Sequence, residues 1–233
     1  MSQLPLSLSF PTHEDACEFF ITQANELAVG WLQKWPEWTP PYQSLNIYGP
    51  TGCGKSLLGD VFAQRSQAHR FVSLTHFDRQ FCETKTAFVL DGVLQNQDWQ
   101  EEALFHFINY LAETGKSALF LSQVPLAQIS WSLADLSSRM RALSAQAVQL
   151  PDDELLAALL DKYFQQRRCQ VVPEVMDYIL PRMERSYEAV AKMAIAIDEA
   201  SLAAKKPVTK ALVRSLLEQP QNDGTKWEKD NHA

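Results

Sequence analysis

Gly49-Pro50-Thr51-Gly52-Cys53-Gly54-Lys55-Ser56 is the stretch on which the reading of this chain turns. It satisfies Gly-x-x-x-x-Gly-Lys-Ser/Thr in full. Glycines at these positions let the main chain wrap phosphate oxygens with its N–H groups pointing inward. A helix starting at Lys55 adds its positive end. Lys55 brings a cation to the β- and γ-phosphates, and Ser56 brings a hydroxyl to Mg²⁺. A chance match in a loop is the competing explanation. It is disfavoured because Leu45-Asn46-Ile47-Tyr48 reads as a strand entering the loop and Lys55 to Gln67 as a helix leaving it. The candidate nucleotide-binding residues are therefore Gly49, Pro50, Thr51, Gly52, Cys53, Gly54, Lys55, Ser56 and Leu57, with ADP or ATP as ligand and Mg²⁺ as its companion.

Working outward, strands are predicted at Arg70–Leu74, Ala87–Leu90 and Ala118–Leu121, with a last one near Ala147–Leu150. Helices fill the gaps, most clearly over Gln100–Glu113. A shorter amphipathic helix is predicted at 24–34, before a proline-rich loop over 35–43. The alternation of strand and helix predicts an α/β fold with a parallel sheet covered by helices. Ala87-Phe88-Val89-Leu90-Asp91 has the form of a strand ending in an acid that reaches Mg²⁺ through water. Asp91 is thus a candidate metal residue beside Ser56, with an ordinary strand-end turn as the alternative. Gly92 follows it and has no side chain with which to orient an attacking water.

Pro151 marks a boundary. Four apolar-periodic segments follow, at 152–167, 173–181, 186–203 and 208–218, with no strand pattern. They predict a small all-α domain. The expected organisation is an extended peptide over 1–12, the nucleotide-binding α/β domain over 13–150, the helical domain over 151–219 and a polar, disordered tail over 220–233.

Hydrophobic residues make up 46% of the chain, as expected for a protein with a packed core, and the formal net charge is -7. That balance argues against DNA as the main direct partner. The four cysteines, Cys17, Cys53, Cys82 and Cys169, lack metal-ligand spacing and read as reduced thiols. The first ten residues lack the features of a signal peptide, and no apolar run reaches membrane-spanning length. A cytoplasmic protein without membrane contact is expected.

The phosphate loop, the strand ending at Asp91, Asp135-Leu136-Ser137-Ser138-Arg139-Met140 and the helical C-terminal part together resemble the DnaA/Hda group of AAA+ P-loop NTPases. The resemblance runs over roughly residues 3–219. It is nearer to the short regulatory members than to the replication initiators. The chain stops after the helical part, so a helix-turn-helix DNA-binding domain is not expected, nor is a long N-terminal domain. The segment Gln3-Leu4-Pro5-Leu6-Ser7-Leu8 resembles the peptide with which the regulatory members bind the sliding clamp of DNA polymerase III. Gln3 suits a pocket rim, and Leu4, Leu6 and Leu8 offer apolar anchors worth roughly 1.5–3 kcal/mol each before ordering costs. Packing of these leucines on the protein's own core is the alternative.

The resemblance implies further roles. Phe20 and Ile21 match the segment that lines the adenine, although they also read as an ordinary core pair. Arg139 matches a finger arginine that acts in trans on a neighbour's nucleotide, with Arg141 as a second candidate and an internal salt bridge as the alternative. Such a guanidinium accelerates phosphoryl transfer on the order of 10³–10⁵-fold. The sensor 1 position falls near Ser122-Gln123. The sensor 2 arginine position falls on Glu188, or on Ala189 with the alignment shifted by one, and Arg185, about a turn away, is the nearest base. A carboxylate there repels a γ-phosphate, so either ADP is preferred to ATP or both are bound poorly, with very slow intrinsic hydrolysis expected. The implied partners are DnaA, the clamp and, through the clamp, DNA; homo-oligomerisation is left open. A loader-like or motor ATPase and a nucleotide-independent adaptor are the competing functions. Gly92 counts against the former, and intact Lys55 and Ser56 against the latter.

Overall fold

The computed structural model describes residues 20–38, 43–94, 98–204 and 206–218. The peptide carrying Gln3, Leu4, Leu6 and Leu8, the thiol of Cys17 and the polar stretch from Pro220 lie outside the described residues. The elements are α1 (Glu26–Gln33), β1 (Ser44–Tyr48), α2 (Lys55–Ser66), β2 (His69–Phe71), α3 (Arg79–Glu83), β3 (Ala87–Asp91), α4 (Glu101–Thr114), β4 (Ser117–Ser122), α5 (Ala134–Arg141), β5 (Ser144–Ala147), α6 (Asp153–Gln166), α7 (Pro173–Ile179), α8 (Tyr187–Ala204) and α9 (Lys210–Glu218). By contacts the chain divides into two units. The first is Met1–Ala158 with Arg185–Glu188, and the second is Leu159–Glu184 with Ala189–Ala233.

The first unit is built on a five-stranded parallel sheet in the order β2-β3-β4-β1-β5. Alternation along β3 shows why helices cover both faces. Ala87 and Val89 join a core with Leu45, Ile47, Leu58, Phe62, Leu119 and Leu121, while Phe88 and Leu90 join one with Leu104, Phe107, Ile108, Leu111 and Phe120. Successive strand residues point to opposite faces, and a parallel sheet buried on both reads as a continuous apolar run. Helix α4 supplies Leu104, Phe107, Ile108 and Leu111 at helical spacing, carries Glu101 and Glu102 in its first turn and ends at Gly115 in the left-handed region. On the other face, Trp38 stacks on Phe62 of α2, with ring centroids 5.1 Å apart.

Two strands differ from the sequence expectation. The last strand is Ser144–Ala147 rather than 147–150, because β1, its partner, ends at Tyr48 opposite Ala147. Val148 N still donates to Tyr48 O at 2.8 Å, but Gln149 N turns to Ala24 O at 3.0 Å. Strand β2 begins at His69 and stops at Phe71. Leu74 leaves the sheet edge for an isolated bridge with Trp99, exchanging hydrogen bonds of 2.9 Å with Asp98 O and Gln100 N.

The second unit is helical. Leu159, Leu160, Phe164, Val175, Ile179, Met183, Val190, Ala194, Ile197, Val208 and Val213 are buried apolar residues of this unit. Pro173 sits in the first turn of α7, where its missing N–H is harmless. Arg167 pairs with Asp198 of α8 at 3.3 Å.

Candidate nucleotide-binding site

The strand order places the C-terminal ends of β3, β4 and β1 side by side, and a parallel sheet of this kind binds ligands at such ends. Asp91 closes β3, Ser122 closes β4 and Gly49 follows β1. Gly49 N donates to Ser122 O at 3.2 Å, and Gly92 N to Leu121 O at 3.1 Å, so the loops leaving the strands are tied together. Asn46, a polar residue inside an apolar strand, locks the same corner. Its Nδ2 donates to Phe120 O at 3.2 Å and Ser122 Oγ at 2.9 Å, and its Oδ1 accepts from Leu126 N at 3.0 Å. With every bond satisfied, burying this amide fixes β1 against β4.

The loop itself holds Lys55 almost fully buried, at 7% exposure. Lys55 Nζ donates to Gly49 O and Pro50 O at 2.8 Å each and lies 3.8 Å from Cys53 Sγ. Burial raises the thiol of Cys53 above its ordinary value, against the opposing pull of the Lys55 charge. Gln123 Nε2 donates to Thr51 Oγ1 at 3.2 Å, so the residue following β4 does touch the loop. Ser56 Oγ lies 3.4 Å from Asp91 Oδ1. A hydroxyl and a single carboxylate converging there are hard oxygen donors, the set with which Mg²⁺ is held beside phosphates. They fit that ion.

Sequence reasoning missed what else packs on the loop. The stretch Arg185–Glu188, a bend followed by the start of α8, belongs to the first unit. Tyr187 N donates to Gly52 O at 3.3 Å. A Cβ on Gly52 would come 2.6 Å from Ser186 Cβ, and one on Gly54 would come 2.5 Å from the Tyr187 ring. These glycines therefore serve close approach as well as loop shape. Arg185 is bound to Pro151 O at 3.1 Å and ion-paired with Asp153. The signal was present in the arrangement Arg185-Ser186-Tyr187-Glu188, but nothing local says that it returns to residue 52.

Phe20 and Ile21 are half-buried. Asn25 Nδ2 holds Phe20 O at 3.0 Å, and Asn25 Oδ1 accepts from Thr22 N at 3.1 Å. Ile21 packs against the core that contains Leu58 and Phe62. Arg139 stands on α5 with its guanidinium 5.6 Å from the ring centre of Phe105. Arg141 is bonded within the same helix, to Ser137 O at 3.3 Å and Ser137 Oγ at 3.1 Å. Among the described residues, no helix is long and apolar enough to cross a membrane, and no group of three or more His, Cys, Asp or Glu residues is arranged to hold a metal.

Fold and loop together define the class: the AAA+ P-loop fold, with an α/β core that carries the phosphate-loop motif and a helical C-terminal part. The comparisons narrow it. Residues 152–217 match the family described as Hda, lid domain. The chromosomal replication initiator protein DnaA of Clavibacter sepedonicus is 25% identical over 199 residues, covering 76% of this chain and 42% of that protein. This chain thus spans less than half the length of the curated DnaA relatives it matches. Domain III of the Thermotoga maritima DnaA superposes with a TM-score of 0.66 at 18% identity, covering 86% of this chain and 93% of that one. AMPPCP-bound DnaA from Aquifex aeolicus superposes with a TM-score of 0.60 at 16% identity, over 77% and 63% of the two chains. The chain thus has the AAA+ fold and is similar in sequence to DnaA and, over residues 152–217, to the lid domain of Hda.

Proposed function

We propose that this protein inactivates the replication initiator DnaA by promoting hydrolysis of the ATP that DnaA holds. The observation that carries the reading is the match of residues 152–217 to the lid domain of Hda. Two features of the site agree with it. Gly92 leaves the position after Asp91 without a group to activate water. Glu188 follows the Tyr187 that rests on Gly54, and on the sensor 2 reading its carboxylate repels a γ-phosphate.

The nucleotide is held by Gly49–Leu57, with Phe20 and Ile21 at the adenine and Mg²⁺ beside Ser56 and Asp91. Lys55 exchanges its loop carbonyls for phosphate oxygens. ADP is bound more tightly than ATP, which nucleotide titration checks. The ADP form docks on the DNA-loaded sliding clamp of DNA polymerase III through Gln3, Leu4, Leu6 and Leu8. Arg139 then enters the nucleotide site of DnaA, where its planar, permanently charged fork stabilises the transferring phosphoryl group. DnaA-ATP becomes DnaA-ADP, and over-initiation is prevented. The protein's own hydrolysis is very slow.

The test is hydrolysis of DnaA-bound ATP in the presence of DNA-loaded clamp. The wild-type chain accelerates it, and Arg139→Ala removes most of the acceleration, on the order of 10³-fold if the finger acts alone. Equal stimulation by both proteins refutes the role of Arg139.

A further inference from the structure

The carboxylate assigned to Mg²⁺ already faces a protein cation. Arg70, on β2, lays its guanidinium along the first turns of α2. Its Nη1 lies 2.9 Å from Asp60 Oδ1 and 3.6 Å from Asp91 Oδ2, and its Nη2 donates to Ser56 O at 3.0 Å. One guanidinium thus engages the main chain of the magnesium-side serine and the side chain of the magnesium-side aspartate. It is a sheltered contact, with the side chains of Arg70 and Asp91 only 28% and 18% exposed.

The fold makes room for this contact. A Cβ built on Gly59 would come 2.5 Å from Arg70 Nη2 and 2.8 Å from a methyl of Leu121. Glycine is among the poorest residues for a helix interior, and close approach of the guanidinium gives Gly59 its reason inside α2. Arginine stays charged at every working pH. A divalent ion entering beside Asp91 meets a carboxylate already partly neutralised and a like charge next to it, both of which weaken its attraction.

We propose that Arg70 is a specificity-determining residue of the nucleotide site, weakening the hold of Asp91 on the divalent cation, so that Mg²⁺ beside Ser56 and Asp91 adds little to the affinity for a nucleoside diphosphate. The inference rests on the reading of Gly49–Leu57 as the nucleotide site.

The experiment is titration of the full chain with ADP, in excess EDTA and in saturating Mg²⁺, for wild type, Arg70→Ala and Arg70→Gln. Thermal melts of each protein confirm that it is folded. In wild type, Mg²⁺ changes the ADP affinity by about threefold or less. In both variants, Asp91 is released to the metal, and Mg²⁺ tightens ADP by about tenfold or more. Arg70→Lys, which keeps the charge and loses the fork, falls between and serves in place of a variant that fails to fold. A wild type that already gains tenfold from Mg²⁺ overturns the proposal, as do folded variants with the wild-type ratio. Failure of wild type to bind ADP in either condition instead overturns the nucleotide-site reading itself, and the role of Arg70 with it.

Discussion

Gly92 occupies a left-handed conformation, at φ +74, directly after Asp91. An L-residue pays about 1–2 kcal/mol for that conformation, so the turn leaving β3 is shaped for a residue without Cβ. The lack of an activating acid is therefore built into the main chain as well as the sequence. Gly92→Glu is expected to leave intrinsic ATP turnover near the wild-type rate and to lower stability by about 1–2 kcal/mol. Steady-state turnover and denaturant melts measure both, and brisk hydrolysis by the variant contradicts the expectation. Arg139 illustrates a different residue-scale point. Its guanidinium rests over Phe105 of the neighbouring helix α4, a cation–π contact that a role in trans has to give up or keep.

Helix α2 ties the site to the core. Its N-terminus is the phosphate loop, and two turns further on Phe62 is buried to 1% exposure against Trp38 and Trp35. Phe62→Ala is expected to cost about 3–5 kcal/mol in urea melts, with nucleotide affinity falling only where the loop loosens in the folded state. The elements around the phosphate loop were legible in the sequence because local rules fix them: an apolar strand, a glycine-rich turn and a helix starting at a lysine. The same holds for α4, α6 and α8, whose apolar periodicity runs over 14 to 18 residues. Elements at the sheet edges were not legible in detail. Ser144-Ala145-Gln146-Ala147 has little strand propensity and is a strand because β1 pairs with it. Val148 and Leu150 alternate like a strand, but β1 has already ended there. Asp91, Ser56 and Lys55 were readable as a constellation, since each belongs to a motif. Arg70 and Tyr187 were not, because their place at the loop depends on contacts across 14 and 135 residues that no local pattern encodes.

On the scale of the whole chain, the charge is the informative quantity. With 28 acidic and 21 Lys or Arg residues, the chain repels polyphosphate at long range. Direct affinity for duplex DNA depends on cations that displace condensed counterions. The protein alone is expected to leave duplex DNA unshifted in a gel at about physiological salt, and to be retained on DNA once clamp has been loaded. Retention without clamp counts against an indirect route to DNA.

The stacking of Trp38 on Phe62 has a practical consequence. Two aromatic rings held 5.1 Å apart and 18° from parallel form a rigid chromophore pair. Near-ultraviolet dichroism and indole emission should therefore report strain or melting of the helix that carries the phosphate loop, with no dye attached to the chain.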